Sequence, residues 1–500
     1  MSDLLPLLVA VPILGSVLAL ALGYVSARTA WPVATLVCVL QLGLAGTVAA
    51  RVFGEGRTLS YAVGGFRPPF GIELVVDGLS AAVALLVALV ALGVLAYARR
   101  AGPRSPAFSA QYLLLVAGLS GMSVTGDMFN LYVFLEITGL AAYALVATGD
   151  SGRAAVGALK YLIIGTVGAS VFLLGIGYAF IATGTLNMAD LATQLAAVGY
   201  DSTLVRASFA LTVTGLAVKT ALYPLHTWQP EAYASAPDSV SALISALVST
   251  VSAYAIARVI FGVFTVDFLA AVPAARTALL TLAGVSIVAG SVLAVLQTEV
   301  KRTLAYSSVS QFGLVVAGFA IANETAVVGG ALHLVGHAVM KGGLFLAAGA
   351  IAAAAGARTV DQYDGLAARA PVLSLAFATL AFAMVGVPPA VGFVGKWYIA
   401  LGAVEAEAWP IAVVILLSTL LTLAYFARLV ERMFFRGASA VEPAPGTAAA
   451  TDGGSPRDVG VSVGMVAVVL AAAAVAVALG ALGAEFAQLM QPTLETLLQQ

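Results

Sequence analysis

The sequence predicts an all-α polytopic membrane protein of about fourteen transmembrane helices. Three observations carry that reading. Hydrophobic residues fill 61% of the 500 positions and charged residues 9%, against about 25% charged in a soluble domain. Apolar runs of about 20 residues, long enough to cross a hydrocarbon core, recur along the whole chain. Two of these runs are interrupted by proline beside the span's only lysine.

The runs fall at roughly 4–24, 31–53, 75–98, 110–127, 128–148, 155–182, 204–228, 240–265, 277–298, 303–322, 325–355, 371–404, 409–434 and 460–484. The first is too long for a removable signal peptide and lacks the basic flank and cleavage site. The tightest separation is at Gly126–Asp127. The longest connections are 54–74, 183–203 and 435–459. In the second, Leu186, Leu191, Leu195 and Val198 recur near helical spacing, which suits a short surface helix. The third is rich in Pro, Gly and Ala and reads as a disordered cytoplasmic linker.

Loop charge sets the orientation. With alternate loops assigned to two sides, one side collects thirteen basic residues, including Arg99, Arg100, Arg104, Arg153, Lys301, Arg302 and Arg432. The other collects six: Arg51, Arg57, Arg67, Arg206, Arg258 and Arg276. The positive-inside rule then puts both termini outside. One miscounted span would scramble this asymmetry, so it supports the count.

Segment 371–404 would reach about 50 Å as a straight helix, against a core of about 30 Å. Its Pro388 and Pro389 break it and free carbonyls at mid-membrane, with Lys396 seven residues further on. In span seven, Lys219 precedes Pro224 and His226. The breaks lie five spans apart, hence in opposite orientation, as inverted-topology repeats require.

Only five of the 23 basic side chains are lysines: Lys160, Lys219, Lys301, Lys341 and Lys396. Most of the arginines lie in connections, whereas the lysines lie in or at the edge of apolar runs. Buried lysine can give up its proton near neutral pH and arginine cannot, so this placement suits a protein that moves protons. Glu136 sits near the middle of "MFNLYVFLEITGLAAYALVAT" and needs an interior partner, for which Lys219 is the natural candidate. The alternative is a static pair locking two helices. His333, His337 and Lys341 are four residues apart and share one helical stripe. Ser307, Ser308, Ser310 and Gln311 can extend it into a hydrogen-bonded file. Zinc binding and ordinary buried polar packing are the rival readings of the stripe. Lys396 is placed to act as terminal proton donor toward the outside, with a snorkelling anchor as the alternative. Lys301, in "EVKR" at a span end, reads by default as an anchor.

The single cysteine, Cys38, excludes a disulfide framework and a Cys-ligated cluster. Net charge of −1 argues against a nucleic-acid partner. No cofactor motif supports a self-contained redox enzyme, and a scaffold has no need for a line of titratable groups.

Six stretches together carry a family likeness: "GGFRPPFGIELVVDGLS", "TGDMFNLYVFLEI", "KTALYPLHTWQPEAYASAPDSVSALIS", "QTEVKRTLAYSSVSQFG", "HLVGHAVMKGGLFLAAGAI" and "GVPPAVGFVGKW". The chain resembles the D-type component of Mrp-type multisubunit Na+/H+ antiporters. It is also similar to the antiporter-like proton-pumping subunits of respiratory complex I and membrane-bound hydrogenases. The resemblance implies fourteen helices, with helices 4–8 and 9–13 as two inverted repeats and helices 7 and 12 broken. The corresponding divisions are 1–109, 110–270, 271–434, the linker 435–459, and 460–500.

The resemblance also implies that Glu136, Lys219, His333, His337, Lys341 and Lys396 form the proton pathway. No cofactor is implied, and the expected transported ions are H+ and Na+, with K+ as the alternative cation. Expected partners are the other membrane subunits of such an antiporter (A, B, C, E, F and G types) or those of a redox complex. The expected location is the plasma membrane. One departure stands out: the family's helix-8 lysine falls at Thr250 here. A hydroxyl can relay a proton through water but cannot store a charge.

Overall fold

The computed structural model describes residues 2–437 and 460–499. Of the expected linker, residues 438–459 lie outside the described residues. The helices of the first half are α1 (Leu7–Val25), α2 (Ala30–Glu55), α3 (Gly78–Ala101), α4 (Pro106–Val124), α5 (Met128–Val146), α6 (Gly152–Thr183), α7 (Met188–Val198), α8 (Thr203–Thr220) and α9 (Gln229–Ser235). Helix 8 of the bundle is α10 (Asp238–Leu243), α11 (Ser249–Val259) and α12 (Thr265–Ala271), joined through π-helical turns at Ile244–Val248 and Ile260–Phe264. Then come α13 (Pro273–Val295), α14 (Val300–Ile321), α15 (Glu324–Ala355), α16 (Leu366–Arg369), α17 (Pro371–Val385), α18 (Val391–Glu405), α19 (Trp409–Phe435), α20 (Val463–Ala481) and α21 (Gly483–Leu498).

Twelve helices among the described residues are long and apolar enough to cross a membrane in one piece. Two further spans are built from pieces, α8 with α9 and α17 with α18, at the expected proline breaks. The short gap at Gly126–Asp127 is real: α4 stops at Val124 and α5 starts at Met128. Asp127 caps α5 by accepting from Asn130 N at 2.7 Å, which meets one of the orphan donors of a helix start. Asp77, Ser105, Ser151, Asn187 and Asn323 cap their helices in the same way.

Two sets of five spans share one packing order. In the first, α4 packs on α5, α5 on α6, α6 on α8 and α8 on α11. In the second, α13 packs on α14, α14 on α15, α15 on α18 and α18 on α19. The sets meet where α9 lies on α14 and where α10 and α11 lie on α15. Helix 8 and α14 are therefore the driest spans, at 100% and 94% buried over their apolar windows.

One element departs from the all-α expectation. The connection 54–74 opens into an antiparallel hairpin, β1 (Leu59–Ala62) and β2 (Glu73–Val76). It covers the ends of α4 and α5 on the side of the bundle that holds the N-terminus, through the Leu74–Thr125 bridge. The connection 183–203 forms α7, which buries Leu191 and Leu195 of the expected stripe together with Met188, whereas Val198 is exposed and Leu186 lies before the helix.

Candidate functional site

The two breaks are finished differently, and this sets the roles of their lysines. A helix that stops inside a bundle leaves its last carbonyls without partners. At the first break, Ala221 takes a left-handed conformation, φ 64°. Trp228, beyond the break, donates its indole N–H to Val218 O at 2.9 Å. Lys219 is thereby free of capping and reaches Glu136 Oε1 at 3.2 Å and the Tyr143 hydroxyl at 3.0 Å. At the second break, Gly386 is left-handed, φ 99°. Here Lys396 itself caps the stopped helix, donating to Met384 O at 2.9 Å and Val385 O at 3.0 Å.

The Lys219 site is asymmetric in exposure. The lysine side chain is 3% exposed and that of Glu136 24%. Tyr143, missed by the sequence reading, lies seven residues after Glu136 on the same helical stripe. Its hydroxyl fits because residues 139 and 165 are glycine. A Cβ on Gly165 would sit 2.1 Å from that oxygen, and one on Gly139 would sit 3.1 Å from Lys219 Nζ.

Between the halves lies a second missed group. Gln229 Nε2 donates to the Tyr233 hydroxyl at 3.2 Å and to Ser249 Oγ at 3.3 Å. Tyr233 Oη and Ser249 Oγ are 3.1 Å apart. Tyr233 Oη also reaches Ile244 O at 3.3 Å, at the start of the first π-helical turn. Such a turn leaves a carbonyl outside the regular ladder. Thr250, next to Ser249, is fully buried, and its hydroxyl has no hydrogen-bond partner among the described residues.

His333, His337 and Lys341 are fully buried on one face of α15. His333 Nε2 lies 2.9 Å from Gln311 Oε1. Lys341 Nζ donates to Ser307 Oγ at 2.8 Å and Leu304 O at 3.1 Å. Ser307 continues to the Tyr425 hydroxyl at 2.9 Å. Neither ring nitrogen of His337 has a partner among the described residues, and the ring packs on Phe312 with centroids 4.4 Å apart. A Cβ on Gly395 would lie 2.8 Å from His333 Cβ, so α18 closes on the stripe one residue from Lys396.

Several expectations need correction. Ser308 bonds back to Leu304 O of its own helix, and Ser310 turns to Ser291 of α13. Neither extends the file; Ser307 and Gln311 do. Lys301 is not an exposed anchor. It is 7% exposed and paired with Asp238 Oδ1 at 2.9 Å. Lys160 is exposed on α6, so four of the five lysines are buried rather than all. Arg258 is not a loop charge. Its guanidinium lies in the bundle, with both carboxylate oxygens of Asp77 at 2.6 Å. Among the described residues, no group of three or more His, Cys, Asp or Glu side chains is placed to hold a metal.

Fold and site define a polytopic membrane protein whose dry interior carries titratable groups through both halves of the bundle. The chain belongs to the family described as NADH:quinone oxidoreductase/Mrp antiporter, transmembrane, whose model matches residues 125–422. It is an antiporter-like membrane component of that superfamily. It is 44% identical over 423 residues to the N-type component of the NADH-quinone oxidoreductase of Desulforudis audaxviator, covering 83% of this chain and 82% of that one. It is 32% identical to the D-type component of the Na(+)/H(+) antiporter of Bacillus subtilis, covering 80% and 81%. A chain of the Mrp complex from Dietzia matches 99% of this chain and 97% of its own length, with TM-score 0.89 and 27% identity. A chain of an archaeal membrane-bound sulfane sulfur reductase matches 99% and 97%, with TM-score 0.88 and 30% identity.

Proposed function

We propose that this chain is the proton-conducting subunit of a multisubunit Na+/H+ antiporter of the plasma membrane. Protons pass along Glu136, Lys219, the Gln229–Tyr233–Ser249 group beside Thr250, Lys341, His337, His333 and Lys396. The observation that carries this reading is the Lys219 amine, which is 3% exposed and paired with the Glu136 carboxylate. Holding a charge at such a depth is expensive and marks a functional path. A change of charge near Glu136 alters its hold on the lysine, and the lysine proton then moves toward the Tyr233–Ser249 group. The divisions 110–270 and 271–434 act as two inverted half-units, with both termini on the outer side. The partners are other membrane subunits, the chain needs no cofactor of its own, and the transported ions are H+ and Na+.

A second reading makes the chain the proton-translocating subunit of a complex I-like or hydrogenase assembly. The 44% identity to an N-type component of an NADH-quinone oxidoreductase favours it. Purification in mild detergent, with identification of the co-purifying subunits, separates the two. Small hydrophobic subunits without redox centres support the antiporter. Iron–sulfur or nickel subunits support the redox assembly. A chain that purifies alone and still exchanges Na+ for H+ contradicts both.

A further inference from the structure

An open pocket of about 560 Å3 lies on the side of the bundle opposite the hairpin, against roughly 10–15 Å3 for one water. Its lining includes Trp31, Arg99, Arg100, Arg104, Ser462 and Gly464. All stand at ends of spanning helices: Trp31 starts α2, Arg99 and Arg100 finish α3, Arg104 precedes α4, and Ser462 caps α20. Arginine and tryptophan at such ends place the pocket at the membrane surface. No acidic side chain lines it, and none of the three arginines is paired with a carboxylate among the described residues. Arg104 donates to Arg100 O at 3.3 Å, and the Arg99 guanidinium lies 4.8 Å from the centroid of the Trp31 ring. Three cations crowded at one mouth repel one another until an anion joins them.

Three further observations give that anion a shape. The Trp31 indole N–H is closed off from solvent and has no hydrogen-bond partner among the described residues. A buried donor in that state is rare in folded proteins and calls for an acceptor. The helix α20 begins at the pocket, where Ser462 Oγ accepts from Met465 N at 3.3 Å. The N–H groups of Val463 and Gly464 are left over at that helix start, which carries partial positive charge. Inward of the arginines, α3 offers a furrow. Leu89, Gly93, Ala96 and Arg100 recur at steps of four, three and four, hence along one face. Leu89 is 51% exposed, and a Cβ on Gly93 would meet only Val468 Cγ1, at 3.8 Å. Both α2 and α20, whose ends line the pocket, pack on α3. A soluble anion has no use for an apolar furrow below its binding groups, whereas an acyl chain does.

We propose that this pocket binds the headgroup of an anionic diacyl phospholipid. Arg99, Arg100, Arg104 and the start of α20 hold the phosphate, and one acyl chain lies along Ala96, Gly93 and Leu89. Arg99 turns from the Trp31 ring to the phosphate, and the freed indole N–H donates to the same group. Basic pockets between spanning helices select such headgroups. A zwitterionic headgroup brings its own cation toward three arginines and is disfavoured by like charge. The bound lipid joins the start of α20 to α2 and α3. None of these residues belongs to the proton path, so the site stands apart from the function proposed above.

The test uses the assembled complex in nanodiscs of phosphatidylcholine, with and without diphosphatidylglycerol, and reads lipid retention by native mass spectrometry and melting temperature. Arg100 and Arg104 are exposed, so replacing them leaves the packed interior untouched. The parent is expected to retain diphosphatidylglycerol and to melt higher in its presence. Arg100→Gln with Arg104→Gln is expected to retain one such lipid fewer, with affinity at the site down on the order of tenfold or more. Its melting temperature should match the parent's in phosphatidylcholine alone and fall below it only where the anionic lipid is present. Trp31→Phe keeps the ring under Arg99 and should weaken retention about tenfold, the scale of one hydrogen bond to a charged group. Equal lipid retention in the double variant and the parent overturns the site. So does a melting temperature that falls equally in both lipid mixtures, which would give the arginines a structural role alone. Inorganic phosphate that raises the parent's melting temperature in phosphatidylcholine as much as the lipid does overturns the lipid assignment in favour of a soluble anion.

Discussion

Lys396 Nζ is 2.9 Å from Met384 O, so the lysine of the second broken span caps the helix that stops before it. Its counterpart Lys219 caps nothing, because Trp228 has taken that task at Val218 O. Two breaks with similar sequence signatures therefore hold their lysines in different electrostatic settings. Lys219 answers to a carboxylate, and Lys396 to the negative end of a helix.

Lys396→Met should show a double defect. Two buried carbonyls lose their donor, at about 1–3 kcal/mol for each group left unsatisfied, and the path loses its last charge. Thermal unfolding of the assembled complex should fall along with exchange. A variant with parent stability would mean that the capping contacts contribute nothing.

Glu136→Gln should reduce exchange about 100-fold, the scale on which a positioned acid–base group acts. The complex should still assemble, because Lys219 retains its bond to Tyr143 at 3.0 Å. Exchange rates in vesicles with assembly checked by gel filtration decide this. Near-parent exchange would make the Glu136–Lys219 contact a static link between helices.

His337→Ala combined with Lys341→Ala should stop proton passage in the second half. Both side chains are fully buried, and the Lys341 bond to Ser307 ties that stripe to Tyr425. Proton-linked transport at the parent rate would reduce the stripe to packing.

Thr250→Lys tests the site where the family's lysine is missing. The position is fully buried and follows Ser249 of the Gln229–Tyr233–Ser249 group in sequence, and its own hydroxyl has no hydrogen-bond partner among the described residues. The variant should assemble and shift the pH dependence of exchange. A loss of several kcal/mol of stability with an unchanged pH profile would take Thr250 off the path.

Asp77→Asn should destabilise the N-terminal side by about 3 kcal/mol, as breaking a buried pair does. Burial pushes the Asp77 carboxyl up, but the Arg258 guanidinium and local hydrogen bonds outweigh it and hold it below its usual value. A carboxyl held low in the folded state adds stability above its unfolded value of about 4, and that stability fades as pH falls through the lower folded value. The parent should therefore lose melting temperature on acidification below about pH 4, and the Asn variant should lack that portion of the loss. Identical profiles would contradict the pairing.

Much of this was legible in the sequence, and the rest was hidden for physical reasons. Apolar length and proline placement revealed the spans and both breaks, because each follows from local chain chemistry. The Glu136–Lys219 pair followed from the cost of two lone charges at mid-membrane. Tyr143 was accessible to the same reasoning, since seven residues separate it from Glu136 on one helix. Lys301 was misread because Arg302 beside it imitates an anchor, while its partner Asp238 lies 63 residues away. Strands of four residues, Leu59–Ala62 and Glu73–Val76, are too short for alternation to announce them. The exchange of capping duty between Trp228 and Lys396 exists only in three dimensions.

Lys219→Arg in the assembled, reconstituted complex tests the central claim most directly. Arginine retains the positive charge and can still pair with Glu136, but it keeps its proton at every accessible pH. If Lys219 works by releasing a proton, the complex should assemble and proton-linked Na+ exchange should vanish. Exchange at the parent rate in that variant would contradict the account.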